Sequence, residues 1–344
     1  MTEGSLARAR NHLESLRARH PMASLIGAPT PLQYLPRFSD ALGTQVWIKR
    51  DDIASFGIAG SKARKLELVV AHAKTAGFDS LLTIGPRQSN TCRAVAAACA
   101  ASGLRAHLLL AADEPAQLTG NALLAHLMGA SIHWTGPLEM RMLHDALGRH
   151  ADTLRAAGHH PLVVAPGCSD TLGIVGMAMG YVEMHCQALE AGMLPRSIFH
   201  ASATGGVWAG LKLGSTLTSG AAPTAVLVLD DLYADAVAKY VELYARASEH
   251  LGEGGEPGAD EVDLDCSMLE VGYGRASAQI IEAIKLIART EGIVCEPHYS
   301  GKALAALISR SRCGDLRGPA VFWHTGGVQV LGDPEITAML SVGN

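Results

Sequence analysis

The chain has 344 residues, of which 48% are hydrophobic and 18% charged, with a net charge of −5. That composition excludes a mainly disordered chain, and at roughly 150 residues per domain the length accommodates about two domains. The acidic balance and 37 glycines against only 5% aromatics argue against a duplex-binding face or a base-stacking platform.

Residues 1–20 alternate Arg and Glu with apolar positions and lack the apolar centre of a signal peptide. The longest apolar stretches are broken by Asp170, Lys212 or Pro223, so no segment reads as a membrane span. A reducing cytoplasm is the expected location. The seven cysteines (92, 99, 168, 186, 266, 295 and 313) form no CxxC pair and read as buried reduced thiols. Neither a disulfide framework nor a metal site is expected.

From about residue 45 onward, short apolar runs alternate with helical patterns. Gln45–Lys49, Ser80–Ile84, Ala106–Leu110, Leu162–Ala165, Ser197–His200, Ala225–Leu229 and Ala320–Trp323 lack strict alternation and read as buried parallel strands. Within Ser277–Thr290, Ile280, Ala283, Ile284 and Ile287 make one apolar helix face. Six alanines in residues 94–101 predict a slim helix that packs closely on a sheet. The alternation implies an α/β fold with helices on both sides of a sheet. Ligands of such folds bind outside the carboxyl ends of the strands. The acidic, glycine-rich Gly252–Asp265 reads as a surface loop.

Four strand-to-helix turns carry candidate chemistry. In Gly57-Ile58-Ala59-Gly60-Ser61-Lys62, Ser61 is a candidate N-cap, which puts Lys62 at the positive end of a helix. A lysine there either points into solvent or has a lowered pKa, as a Schiff-base lysine needs. In Gly85-Pro86-Arg87-Gln88-Ser89-Asn90, Ser89 or Asn90 can cap a helix whose free amides could also hold a carboxylate. Ala203-Thr204-Gly205-Gly206-Val207 has the small residues and hydroxyl of a phosphate cradle, without a Walker or dinucleotide signature. In His324-Thr325-Gly326-Gly327, Thr325 at a strand end could face a ligand, and His324 reads equally as a packed histidine. One lysine, one monophosphate cradle and one hydroxyl together suggest pyridoxal 5′-phosphate.

On these residues the sequence resembles the D-cysteine desulfhydrase and 1-aminocyclopropane-1-carboxylate (ACC) deaminase family of fold-type II pyridoxal-phosphate enzymes. The resemblance runs from Pro29-Thr30-Pro31-Leu32 to Gly332. It rests on Lys49-Arg50-Asp51-Asp52, on Ala59-Gly60-Ser61-Lys62-Ala63-Arg64-Lys65-Leu66-Glu67, on Gln88-Ser89-Asn90, and on Gly167-Cys168-Ser169 with Gly173. It implies a tryptophan synthase β-like fold, with two open twisted, mostly parallel sheets flanked by helices. It also implies a homodimer and a small domain of residues 60–163 inserted in a large domain of residues 1–59 and 164–344.

Residue by residue, the resemblance implies that Lys62 binds the cofactor aldehyde and shuttles the Cα proton. Asn90 lies beside the cofactor ring, and Ser89 binds the substrate carboxylate and assists proton transfer. Ala203, Thr204, Gly205, Gly206 and Val207 hold the phosphate, with Lys65 nearby, and Thr325 meets the pyridine nitrogen. Tyr273 and Tyr299 line the substrate pocket as catalytic candidates, and Gln88 and Arg87 are further substrate-binding candidates. ACC deaminases of this family pair Tyr-Glu-Gly-Lys with His-Leu-Gly-Gly. This chain has Tyr299-Ser300-Gly301-Lys302 and His324-Thr325-Gly326-Gly327, as in the desulfhydrase-like branch. The implied activity is α,β-elimination of a small β-substituted amino acid, a carbon–sulfur bond being the leading candidate. Alternatives are cysteate sulfo-lyase, ACC deaminase, a dehydratase or synthase of the same fold, and an inert cofactor-binding protein. Arg87 or His298 is a candidate reader of an anionic β-substituent, because each adds a cation near the presumed site. Ser61, Ala59 and Val207 depart from the family's usual Asn, Gly and Thr.

Overall fold

The structure, a computed structural model, describes residues 3–55, 57, 60–139, 142–229, 235–272, 274–316 and 318–341. In chain order the elements are α1 (Glu3–Arg19), β1 (Leu32–Tyr34), α2 (Pro36–Leu42), β2 (Val46–Arg50), α3 (Ser61–Thr75), β3 (Ser80–Gly85), α4 (Asn90–Ser102) and β4 (Arg105–Leu110). They continue with α5 (Gly120–Leu127), β5 (Ser131–Trp134), α6 (Leu143–Ala156), β6 (Pro161–Val163), α7 (Thr171–Glu190), β7 (Ser197–Ser202), α8 (Gly206–Thr218) and β8 (Pro223–Leu227). The chain closes with α9 (Ala236–Leu251), β9 (Leu264–Asp265), α10 (Ala278–Glu291), α11 (Ser300–Arg312), β10 (Ala320–His324) and α12 (Pro334–Ser341).

These strands build two sheets. One has the order β1-β2-β10-β7-β8-β9 and the other β5-β4-β3-β6. All pairings are parallel except β1 with β2, which is antiparallel. The second sheet is drawn entirely from residues 80–163. The fold is therefore α/β, as the β–α alternation predicts, and it has the two mostly parallel sheets flanked by helices that the family resemblance implies.

Side-chain alternation explains why each sheet carries helices on both faces. In β3 and β4, Leu81, Leu108 and Leu110 pack with α3 and α4, whereas Leu82, Ile84 and Leu109 pack with α6. In the larger sheet, Ile48, Phe199, Val226 and Phe322 face α10 and α11, including the predicted stripe Ile280, Ala283, Ile284 and Ile287. The opposite face is covered by α7 and α8. Four of the α4 alanines, Ala94, Ala96, Ala97 and Ala98, are buried with β3 and β4, where larger residues would hold the helix away.

Three strands escape the sequence reading. β1, β5 and β9 are short or lie at sheet edges, where apolar content is low. Gly252–Asp265 is a correction: its end forms β9, which pairs with β8 through Leu264 and Asp265. A thiol population without disulfides is seen among the described residues, with five cysteines buried, Cys266 half-buried and Cys313 exposed. Among the described residues, no helix is long and apolar enough to cross a membrane.

Candidate active site

A cavity of about 270 Å³ lies at the carboxyl ends of strands from both sheets. Gly85 ends β3, Ala111 follows β4, Ser202 ends β7, Leu229 follows β8 and Thr325 follows β10, and all five line it. Small-molecule sites commonly measure ~300–1,000 Å³, so this one suits a compact ligand.

Lys62, the second residue of α3, lines the cavity. The helix is capped by Gly60, with φ 103° and ψ −178°, and not by Ser61 as the sequence reading has it. The physical reason is contact. A Cβ at Gly60 would lie 2.2 Å from the Thr325 carbonyl oxygen. The Gly60 N–H donates to Asp51 at 2.8 Å and the Ser61 N–H to Thr325 at 3.1 Å, so this turn is pressed against the end of β10. Burial pushes the Lys62 pKa below its ordinary value, and the Arg93 guanidinium adds to the effect against the opposing Glu296 carboxylate. One turn on, Lys65 is buried and donates to the Gly167 carbonyl at 3.1 Å. Desolvation and its neighbour Lys62 lower its pKa to about 7.

Behind these lysines, Arg64 donates to Asp51 at 2.8 Å and to Glu183 at 2.9 Å. Lys49 donates to Glu183 at 2.7 Å, and the Trp323 indole to Asp51 at 2.8 Å. The Lys49-Arg50-Asp51-Asp52 segment thus anchors the start of α3 to β10 and α7. It does not reach the cavity itself.

The start of α8 supplies a candidate anion cradle on the same cavity. Gly205, with φ 87°, caps α8, whose first amides have no carbonyl partner within their own helix. A Cβ at Gly205 would lie 2.4 Å from the Tyr240 ring, and one at Gly206 would lie 2.4 Å from the Ser169 hydroxyl. Ser169 and Thr204 share a hydrogen bond of 2.6 Å, and the Tyr240 hydroxyl bonds Ser202 at 2.7 Å. Ala203, Thr204, Gly205 and Val207 line the cavity, and Gly206 is packed immediately behind them.

Ser89 and Asn90 form a third wall. Ser89 caps α4 by accepting the Cys92 N–H at 3.1 Å, and Asn90 begins the helix. Asn90 Oδ1 accepts from Asn121 at 2.9 Å, which orients its amide. Tyr299 and Thr325 complete the predicted residues on the wall. Tyr273 lies outside the described residues.

Three candidates stand elsewhere. Gln88 is absent from the lining, because its side chain donates to Asp333 at 2.7 Å and accepts from the Asn121 N–H at 2.7 Å. Arg87 is also outside the wall and pairs with Asp333 and Glu335, each at 3.3 Å. Buried His298 turns Nδ1 toward Glu296 at 3.5 Å, and it too is off the wall.

Sequence reasoning misses Leu138 and Glu139, which enter the wall from the segment between β5 and α6, and Leu143, the first residue of α6. The unread strand β5 hides this register. It also misses Glu296. This fully buried carboxylate accepts the N–H groups of His298 at 2.7 Å, Tyr299 at 3.1 Å and Ser300 at 2.8 Å. Burial raises its pKa, but His298 and these amides hold it below the ordinary value. It thereby caps α11 and fixes Tyr299.

A half-buried lysine at a helix start, lining one compact cavity with a candidate anion cradle, is the arrangement of an enzyme that holds a phosphorylated aldehyde. The fit is local: small residues bring backbone amides to an anion, and desolvation favours an uncharged, nucleophilic amine. The pattern of the pyridoxal-phosphate dependent enzymes matches residues 23–326, and the chain belongs to that family, with pyridoxal phosphate as its cofactor. A solved structure described as an ACC deaminase homologue is 30% identical, with a TM-score of 0.86, and the match covers 95% of this chain and 99% of that one. A T.th. threonine deaminase is 18% identical, with a TM-score of 0.63 over 95% and 98% of the two chains. A maize serine racemase is 15% identical, with a TM-score of 0.63 over 92% of each chain. The last two matches reflect the shared fold-type II architecture.

Proposed function

We propose that this enzyme catalyses α,β-elimination of a small β-substituted amino acid, in the manner of a D-cysteine desulfhydrase, releasing a keto acid, ammonium and the leaving group. The carrying observation is that Thr325, a hydroxyl rather than a carboxylate, stands at the end of β10 on the wall shared with Lys62. Ser300, which replaces the glutamate of ACC deaminases, spends its hydroxyl on Glu296 at 3.0 Å and is buried off the wall. The ACC deaminase homologue supports the family but does not select the reaction.

Bound pyridoxal phosphate supplies the electron sink that makes a substrate Cα proton removable. Lys62, the residue that would hold the cofactor aldehyde, has its pKa lowered by desolvation and would accept that proton. The α8 amides with Thr204 would hold the phosphate, and Lys65 would balance its charge. The Ser89 hydroxyl and the first amides of α4 would orient the substrate carboxylate. Tyr299, fixed through Glu296, would border the departing β-substituent. The outward pairing of Arg87 weighs against cysteate as the preferred substrate. A homodimer is part of the proposal and is checked by sedimentation.

The test is release of keto acid and ammonium across a panel of D- and L-β-substituted amino acids, including cysteine, cysteate, serine derivatives and ACC. Sulfide release from cysteine with little turnover of ACC supports the reading. Preferred ACC turnover replaces it, and a yellow protein inert on the whole panel would favour a binding protein. Lys62→Ala should lose the cofactor absorption band and turnover together.

A further inference from the structure

Three histidines come together away from the cavity wall. His107 lies on β4, His133 on β5 and His150 on α6. His133 stands in register with Leu109, and His107 is two residues from Leu109 on the same strand. By strand alternation all three point to the face that α6 covers. On α6, His150 falls in the apolar stripe of Leu143, Ala146, Leu147, Ala151 and Leu154, all buried. The His107 and His133 rings lie 6.2 Å apart, and those of His133 and His150 lie 4.3 Å apart.

These rings are not held by ordinary hydrogen bonds. Both nitrogens of His107, Nε2 of His133 and Nε2 of His150 are buried atoms with no hydrogen-bond partner. Packed histidines normally satisfy at least one nitrogen, so four orphaned nitrogens in one cluster require a reason. One nitrogen from each residue falls within 4.8 Å of the others.

We propose that His107, His133 and His150 form a binding site for one divalent transition-metal ion of the zinc class. Three neutral imidazoles are a suitable donor set, and bonds of about 2.0–2.1 Å require the nitrogens about 3.3 Å apart, which small side-chain rotations supply. Water would complete the tetrahedron at the fourth position. His159 is a weaker candidate for that position, because its Nδ1 is 3.6 Å from Asp79. The bound ion joins α6 to β4 and β5. Leu143, about 10 Å along the helix from His150, lines the cavity, so the ion braces that wall.

The experiment is titration of chelator-treated, pyridoxal-phosphate-loaded enzyme with zinc against a chromogenic chelator, paired with the visible spectrum of the cobalt form. Expected are one tightly held ion per chain, tetrahedral cobalt bands, and an affinity loss of about tenfold or more in His133→Ala and in His150→Gln. The cofactor absorption band and cooperative unfolding report whether each variant is folded. Absence of a stoichiometric ion in the wild type would overturn the proposal, as would folded variants that bind zinc like the wild type.

Discussion

The Ser61 N–H donates to the Thr325 carbonyl across 3.1 Å. This single bond joins the turn that carries Lys62 to the strand end that presents Thr325. Residues 264 positions apart therefore share one wall, and Gly60 permits the approach.

Gly60→Ala should disrupt this junction. The added Cβ meets the Thr325 oxygen at 2.2 Å and forces alanine into φ 103°. A cost of about 2 kcal/mol or more in stability is expected, with turnover falling at least tenfold. Chemical denaturation and steady-state kinetics measure both, and wild-type behaviour in either would count against the proposed role of the junction.

Lys65 should couple phosphate binding to protons. In the cofactor-free chain it titrates near 7. A phosphate dianion favours its charged form and raises that pKa, so binding takes up a proton above pH 7. Affinity for pyridoxine 5′-phosphate, which has the phosphate but no aldehyde, should weaken as pH rises from 7 to 9. Fluorescence titration of wild type and Lys65→Gln checks this, and equal slopes in the two proteins would refute it.

Glu183 should set the acid limb of stability. Its pKa falls to about 2: burial opposes ionisation, but Arg64 and Lys49 overcome it. A depressed carboxylate contributes stability fully present above its unfolded value near 4.5, and this contribution is lost as pH falls from there toward 2. Glu183→Gln leaves two buried cations short of a partner and should cost about 3–5 kcal/mol near pH 7. Urea unfolding from pH 7 to pH 3 should therefore show a flatter acid limb in the variant.

Arg87→Ala should leave the turnover ratio of cysteate to cysteine unchanged within about twofold. Its guanidinium pairs with Asp333 and Glu335 and is off the cavity wall. Because it is partly exposed, its loss should cost under about 1 kcal/mol. A selective loss of cysteate turnover would restore it as a reader of the substrate.

Much of the fold is legible in the sequence because buried parallel strands are apolar on both faces. Ser80–Ile84 and Ala106–Leu110 match β3 and β4 within one residue for that reason. The half-exposed Ser131–Trp134 escapes the same reading, and Leu138, Glu139 and Leu143 escape with it. Glycine-rich turns announce the cradle and the lysine turn, because close backbone approach restricts composition locally. Chain position puts Gln88 and Arg87 beside Ser89, yet both bond Asp333 and stay off the cavity wall. Nothing local encodes a partner 245 or 246 residues away.

By itself, the sequence determined the α/β class and the order of the turns, and it nominated the lysine that a phosphorylated aldehyde would meet. Those properties rest on local backbone needs and on hydrophobic runs, which neighbouring residues express. Only the tertiary structure decided that Gly60 and not Ser61 caps α3, that Glu296 fixes Tyr299, and that three histidines spaced 26 and 17 residues apart share one face. Each depends on strand register and helix docking, through which elements remote in sequence align their side chains.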